Sequence, residues 1–497
     1  MKVYLRTLAC LTACAAIGSS LASCWTGGDR DPGTTGTAGT TGAAGTSGDA
    51  GTTGTGAAGS AGTTGAAGRG GTTGAAGTTG AAGRGGTTGT AGTGVVMINA
   101  GGVFASLLGK SQTDIDTKVT TAVNRFFGIG GTESTTPDAM TGYRCYYELP
   151  QDSSLAFIWA ADSDDVRSEG MSYGMMIAVQ MNMQPQFDRL WKFAKTYMQF
   201  ASTSATTAWR GYFKWQGKVD RTNAASWAPS FGDQTAPAPD GDEYFAAALY
   251  VAHRRWGSTG AVNYKQEADT IAAAMLHNTA TTDGRGPIIS ASQNMPVFSP
   301  YGMSANFTDP SYHLPAFYDL FAAVGPSGDA TRWRTVASNS RAFFVTSANA
   351  TTGLHPDYAT FAGAPMTATA NDGHNNFGFD AWRVVMNMAV DYVWGSADSR
   401  EKTQIEKVHT FFNSYLANGN ITQSQFTVSG GSPTGGGSTA LTATLAAGSM
   451  VSTTTNRTMY ANNLWIINQQ SGQYRYYQEC VYLLGLLNAA GKFRPSF

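Results

Sequence analysis

Beyond residue 95, apolar positions recur at intervals of three and four, the mark of amphipathic helices. The spacing predicts helices over 112–127, 170–183, 186–202, 242–256, 263–277, 311–324, 329–346, 380–394, 400–417, 438–449 and 474–491, with a weaker twelfth at 458–470. Short β-rich pieces such as 425–428 are too few for a sandwich. Long loops rich in Gly, Ser, Asn and aromatic residues separate the helices. About twelve helices in one unbroken stretch predict an all-α fold of six antiparallel hairpins, each packed against the next. Closed into a ring, such hairpins leave one end where loops carry function. No internal repeat is visible, so ring closure rests on the element count alone.

The pattern vanishes before residue 95. Residues 1–23 carry Lys2 and Arg6, then an apolar run through Leu11 and Ile17, and end Leu21-Ala22-Ser23 ahead of Cys24. This predicts a secretory signal too short to span a bilayer. The Leu-Ala-Ser-Cys ending resembles a bacterial lipobox, which implies lipidation of Cys24 and a protein held on the bacterial envelope or cell surface; ordinary secretion is the alternative. Residues 24–94 repeat Gly, Thr and Ala with almost no large side chain, so they cannot bury enough surface to offset ordering entropy. They read as a flexible, low-complexity linker with an r.m.s. span of about 45 Å. The packed domain is therefore 95–497. Its cysteines, Cys145 and Cys480, are suited either to a pair or to two buried thiols. A net charge of −1 with 13% charged residues gives no reason to expect nucleic acid, and a monomer is expected.

Candidate chemistry collects at helix starts. In 162–182, DSDDVRSEGMSYGMMIAVQMN, a polar approach ends at Ser168-Glu169-Gly170 and an apolar helix follows. Ser168 suits an N-cap and Glu169 the positive end of the helix dipole. Half withdrawn from water, Glu169 would also have the raised pKa that a general acid needs. Ala238-Pro239-Asp240-Gly241-Asp242-Glu243-Tyr244 repeats the arrangement, and Asn376-Phe377-Gly378-Phe379-Asp380-Ala381-Trp382-Arg383 does so a third time. One acidic helix mouth is an ordinary cap. Three, flanked by aromatics and brought to one end of a ring, make a cleft suited to sugars, whose faces stack on rings while a pair of carboxyls breaks the glycosidic bond.

These residues resemble glycoside hydrolase family eight over most of 110–497. Ser168-Glu169-Gly170-Met171-Ser172-Tyr173-Gly174 is similar to its Ser-Glu-Gly-x-x-Tyr-Gly motif. Ala238 to Trp256 is similar to the signature around Ala-x-Asp-Gly-Asp, with Pro239 and Phe245 departing from it. Phe379-Asp380-Ala381-Trp382-Arg383 is similar to Tyr-Asp-Ala-x-Arg, with Phe379 for the usual Tyr. The resemblance implies an (α/α)6 barrel, inversion at the anomeric carbon and no cofactor. It makes Glu169 the general acid, Asp380 the general base, and Asp240 the residue that holds the sugar at the cleavage point. It implies a binding surface of Trp215, Tyr312, Tyr474 and Tyr477, of which the last two would share a helix face. Arg383, one turn on from Asp380, would keep that carboxylate ionised and oriented.

The run from Asn306 to Tyr318, with Asp309 where cellulases of the family tend to carry Asn, looks most like the xylan-active branch. Some members of that branch trim oligosaccharides from the reducing end, because a Leu-His-Pro loop closes the cleft. The region 432–438 here lacks that tripeptide, which favours an open cleft and internal cutting of β-1,4-linked xylan. Reducing-end release of xylose, or cellulase, β-glucanase or chitosanase activity, are the alternatives within the family.

Three other readings fare worse. Gly170-Met171-Ser172-Tyr173-Gly174 fits a nucleophile elbow, but no buried strand precedes it. A non-catalytic carbohydrate-binding lipoprotein would need the aromatics and not all three carboxylates. Six histidines form no His-x-x-x-His pair, and Asp162-Ser163-Asp164-Asp165 lacks EF-hand spacing, so no metal is expected.

Overall fold

The computed structural model describes residues 101–497 apart from 132, 202–206, 234, 370–371, 418–419 and 497. The expected signal peptide, Cys24 and the linker lie outside the described residues.

The described residues are mainly helical. In chain order the elements are α1 (Gly102–Leu108), α2 (Gln112–Phe127), a hairpin of β1 (Tyr146–Leu149) and β2 (Asp152–Ile158), α3 (Ser168–Gln180), α4 (Gln184–Phe193), α5 (Pro239–Trp256), α6 (Tyr264–His277), α7 (Pro315–Val324), α8 (Ala330–Ser347), α9 (Trp382–Asp391), α10 (Ser399–Phe412), α11 (Thr439–Gly448), α12 (Arg457–Ile466) and α13 (Arg475–Ala489). Every predicted helix is present. The segment predicted over 311–324 divides, with a 3₁₀ turn at Pro310–Tyr312 and α7 starting afresh at Pro315, because each proline suits only a first helical turn. Residues 425–428 make isolated bridges through Gln425 and Phe426, and no strand.

Burial sorts the helices into two sets. Every residue of α3, α9 and α11 is buried, as are all but one of α13, so these are enclosed on all sides. In α6 only a stripe is buried: Tyr264, Ala268, Ile271, Ala272, Met275 and Leu276. A helix buried all round belongs inside and one with a single apolar stripe belongs outside. The packing agrees. Helices α3, α5, α7, α9, α11 and α13 touch in succession, and α13 returns to α3; α4, α6, α8, α10, α12 and α2 back them in turn.

The C-terminal tail identifies one end of this ring. Gln180, at the end of α3, exchanges hydrogen bonds of 2.9 Å with the backbone of Arg494. Arg254 near the end of α5 donates to the Pro495 carbonyl, and Trp394 just beyond α9 donates to that of Phe493. The starts of α3, α5 and α9 therefore lie together at the opposite end. Cys145 and Cys480 are both buried and both free thiols.

Candidate active site

Glu169, Asp240 and Asp380 each stand at or just before the first turn of α3, α5 and α9. The backbone N–H groups there leave a partial positive charge that favours a carboxylate. Arg383 draws the three together. Its Nη1 donates to Glu169 Oε2 at 2.9 Å, Asp240 Oδ2 at 2.9 Å and the Tyr173 hydroxyl at 2.7 Å. Its Nη2 donates to Asp380 Oδ1 at 2.8 Å and Ser311 Oγ at 2.7 Å. Asp309 Oδ2 lies 3.9 Å from the same nitrogen and has no hydrogen-bond partner. The fixed width of the guanidinium fork therefore keeps the nearest oxygens of Glu169 and Asp380 within about 8 Å of each other.

These groups form a floor. Glu169 is 3% exposed, and Asp240 and Asp380 are each 1% exposed. Around them Trp215, Phe379 and Tyr477 are only half-buried. The carbonyl of Trp215 accepts from the Ser168 N–H at 2.9 Å, so this residue borders the Glu169 turn. The Tyr477 hydroxyl donates to the Phe379 carbonyl at 2.5 Å, and its ring lies 6.0 Å from the Arg383 guanidinium.

Burial dominates the electrostatics. It pushes Glu169 up to about 7; Arg383 opposes the rise and Asp240 adds to it. Asp380 is likewise pushed up to about 7, with Arg383 opposing and Asp357 adding. Asp240 rises to about 6, and Asp309 goes well above the usual carboxylate range through burial and the nearby Asp380. Arg383 orients Asp380, while burial works against its charge. One cation is shared among several carboxyls, and desolvation outweighs it.

Close approach of backbone to side chain makes this packing feasible. A Cβ on Gly170 would fall 2.4 Å from the Tyr476 ring, and one on Gly241 would fall 2.4 Å from Ser168 Oγ. Ser168 is consequently not the expected N-cap. It is the first residue of α3, its hydroxyl is buried against Gly241, and the cap position belongs to Arg167.

The remaining predicted residues divide. Tyr312 is 1% exposed; its ring stacks on Phe298 at 6.0 Å and lies 5.7 Å from the Arg383 guanidinium. Tyr474 precedes α13 and is 42% exposed, so it does not share the buried surroundings of Tyr477. The pattern missed Tyr476, whose hydroxyl donates to Glu169 Oε1 at 3.1 Å, and Ser311. It also missed Asp357 and His374, which sit in loops without periodicity. Tyr173 was visible as part of the motif, though its bond to Arg383 was not.

Comparison with known proteins agrees with this geometry. The profile described as glycosyl hydrolases family 8 matches residues 159–491. The chain is 35% identical over 356 residues to the reducing-end xylose-releasing exo-oligoxylanase Rex8A of Paenibacillus barcinonensis, covering 71% of this chain and 87% of that one. It is 29% identical over 357 residues to endoglucanase C of Ruminiclostridium cellulolyticum, covering 71% and 68%. A crystal structure of a xylobiose complex from Teredinibacter turnerae superposes with a TM-score of 0.70 at 35% identity, covering 81% of this chain and 99% of that one. With its acidic helix mouths gathered on one arginine and a profile match over two thirds of its length, the chain belongs to glycosyl hydrolases family 8.

Proposed function

We propose that this enzyme hydrolyses β-1,4-linked xylan or xylo-oligosaccharides with inversion, cutting within the chain. The observation that carries the chemistry is the Arg383 fork, which holds Glu169 and Asp380 facing one cation at 2.9 and 2.8 Å. Inverting glycosidases need about 6.5–9.5 Å between carboxyls to admit a water, and the limit set by the fork overlaps that range. Glu169, raised to about 7, carries a proton near neutrality and gives it to the leaving oxygen. Asp380 is pushed into the same range, so the working form is the one in which Asp380 has lost its proton and takes another from water on the opposite face of the sugar. Asp240 holds the sugar between them. Trp215 and Tyr477 offer ring faces at the rim, Tyr474 extends that rim outward, and Tyr312 supports Arg383 from the packed side. The ring of inner and outer helices is read as an (α/α)6 barrel with its cleft at this end.

Xylan as substrate draws support from the relatives, among which exo-oligoxylanases stand beside endoglucanases. Internal cutting draws support from the loop over 431–437. All seven of its residues are exposed, and the stretch holds no Leu-His-Pro tripeptide. We further propose that Cys24 carries a lipid and that residues 24–94 tether the catalytic domain, as a monomer, to the envelope. Cys24→Ala would then release the enzyme from the membrane fraction.

Two experiments test the reading. Glu169→Gln and Asp380→Asn should each lose nearly all turnover while melting like the parent protein, and a variant that keeps the parent rate overturns its assignment. Digestion of xylan, cellulose, mixed-linkage glucan, chitosan and xylotriose should show xylan cut to mixed oligomers. Release of xylose alone from xylotriose, with polymer untouched, would overturn internal cutting.

A further inference from the structure

Asp380 has a second set of neighbours, beneath the start of α9. The backbone of Asp357 donates to the Asn376 carbonyl and that of Tyr358 to the His374 carbonyl, both at 2.8 Å. This short ladder carries two side chains to the start of α9. Asp357 Oδ1 accepts the Ala381 N–H at 3.0 Å, and Oδ2 lies 3.3 Å from His374 Nδ1. A Cβ on Gly378 would stand 3.0 Å from that same Oδ2, so the carboxyl is tucked directly beneath the loop that carries Asp380. The His374 ring stacks on Tyr358 with centroids 4.1 Å apart, and its Nε2 is buried with no hydrogen-bond partner.

A helix cap alone needs none of this. The caps of α2, α6, α10 and α11 come from Ser111, Asn263, Asp398 and Ser438, each the residue next to its helix. Helix α9 has no such cap from Ala381. Its carboxylate arrives from 24 residues away and brings a histidine with it. Local capping costs fewer ordered residues, so the longer route requires another purpose.

We propose that Asp357 and His374 form a positioning dyad that fixes the loop bearing Asp380, with His374 offsetting part of the negative charge that Asp357 brings beside it. This rests on the reading of Asp380 as the general base. Asp357 holds the backbone one residue beyond Asp380, and His374 is the counter-charge to both acids. Burial works against a charged His374, while Asp357, Asp380 and Asp372 together prevail and raise its pKa. In return His374 lowers that of Asp380, against Asp357 and Glu169, which raise it. The other groups facing Asp380 are Arg383, Asp240 and Asp309, with the hydroxyl-bearing rings Tyr358, Tyr312 and Tyr477; Tyr358 also faces His374. When Asp380 takes a proton from water, its charge is lost and the dyad's own pair remains balanced. No proton need pass through His374.

The test is the pH profile of kcat/KM on xylan for His374→Gln, which keeps a donor for Asp357 and removes the charge. The acidic limb should move to higher pH by about one unit, with the alkaline limb left in place. A uniform fall at every pH, with the limb in place, would show a merely structural role and overturn the proposal. Should the variant fail to fold, His374 can be titrated by NMR in the parent and in Asp380→Asn. The proposal expects its titration to move to lower pH when Asp380 is neutralised, and an unmoved titration overturns it. An active Asp380→Asn would instead sink the assignment of the base, whatever His374 does.

Discussion

Replacing Arg383 with methionine removes the one cation that Glu169, Asp240 and Asp380 share at 2.9 Å or less. Methionine is nearly isosteric with the stem, so the change is chiefly electrostatic. A unit charge about 4 Å away contributes about 4 kcal/mol at an effective dielectric of about 20. Without it, the ionised fraction of Asp380 at pH 7 should fall by roughly a thousandfold. Glu169, about half protonated near pH 7, would become fully so, and the deficit should appear in the base alone. Initial rates of reducing-sugar release from xylan should therefore drop about a thousandfold at pH 7 and recover about tenfold per pH unit as alkali ionises Asp380. Arg383→Lys should restore part of the rate, since it returns the charge without the fork. The fold should survive, because the carboxyls can take up protons rather than remain as buried unpaired charges. A folded Arg383→Met within tenfold of the parent at pH 7, or one with the parent's pH profile, would refute the reasoning.

Two further outcomes follow from groups around the site. The Tyr476 hydroxyl lowers the pKa of Glu169, so Tyr476→Phe should raise it and move the alkaline limb of kcat/KM upward by as much as about one pH unit; a downward movement would contradict the assignment. Glu243 is fully buried, accepts from the Tyr318 hydroxyl at 2.8 Å and leaves Oε2 without a partner; burial holds its pKa well above the usual range. Its folded-state pKa exceeds the unfolded one, so its stabilisation is complete below the ordinary carboxylate range and drains away as pH rises toward the folded value. Glu243→Gln, neutral throughout, should gain on the parent by about 5 °C in Tm between pH 5 and pH 8, and a gap that does not change with pH would refute this.

The inner helices were legible because their long apolar runs, as in Met171 to Val179, outvote local ambiguity. The acids were legible because helix starts announce themselves: a polar approach, a carboxyl, then an apolar run. Arg383 was visible only as a neighbour of Asp380, three residues away. Its bonds to Glu169 and Asp240 span 214 and 143 residues, and no local pattern encodes a contact at such range. Tyr476 was passed over because the expected helix began at 474. It begins at Arg475, and with Tyr474 outside it the buried contacts fall to Tyr476 and Tyr477. Asp357 and His374 lie between α8 and α9, where neither a period of 3.6 nor of 2 exists to point at them.

A floor with several acids around one guanidinium has room, electrically, for a second cation. Iminosugars carry one: a ring nitrogen that is protonated near neutrality and sits where the anomeric carbon would. Such a molecule would be drawn to Glu169 and Asp380 most strongly once both have shed their protons, so its grip should tighten with alkali until the amine itself discharges. Neutral lactone mimics would show no such tightening. The choice between these two inhibitor chemistries is therefore written into the charge count of the cleft rather than its shape.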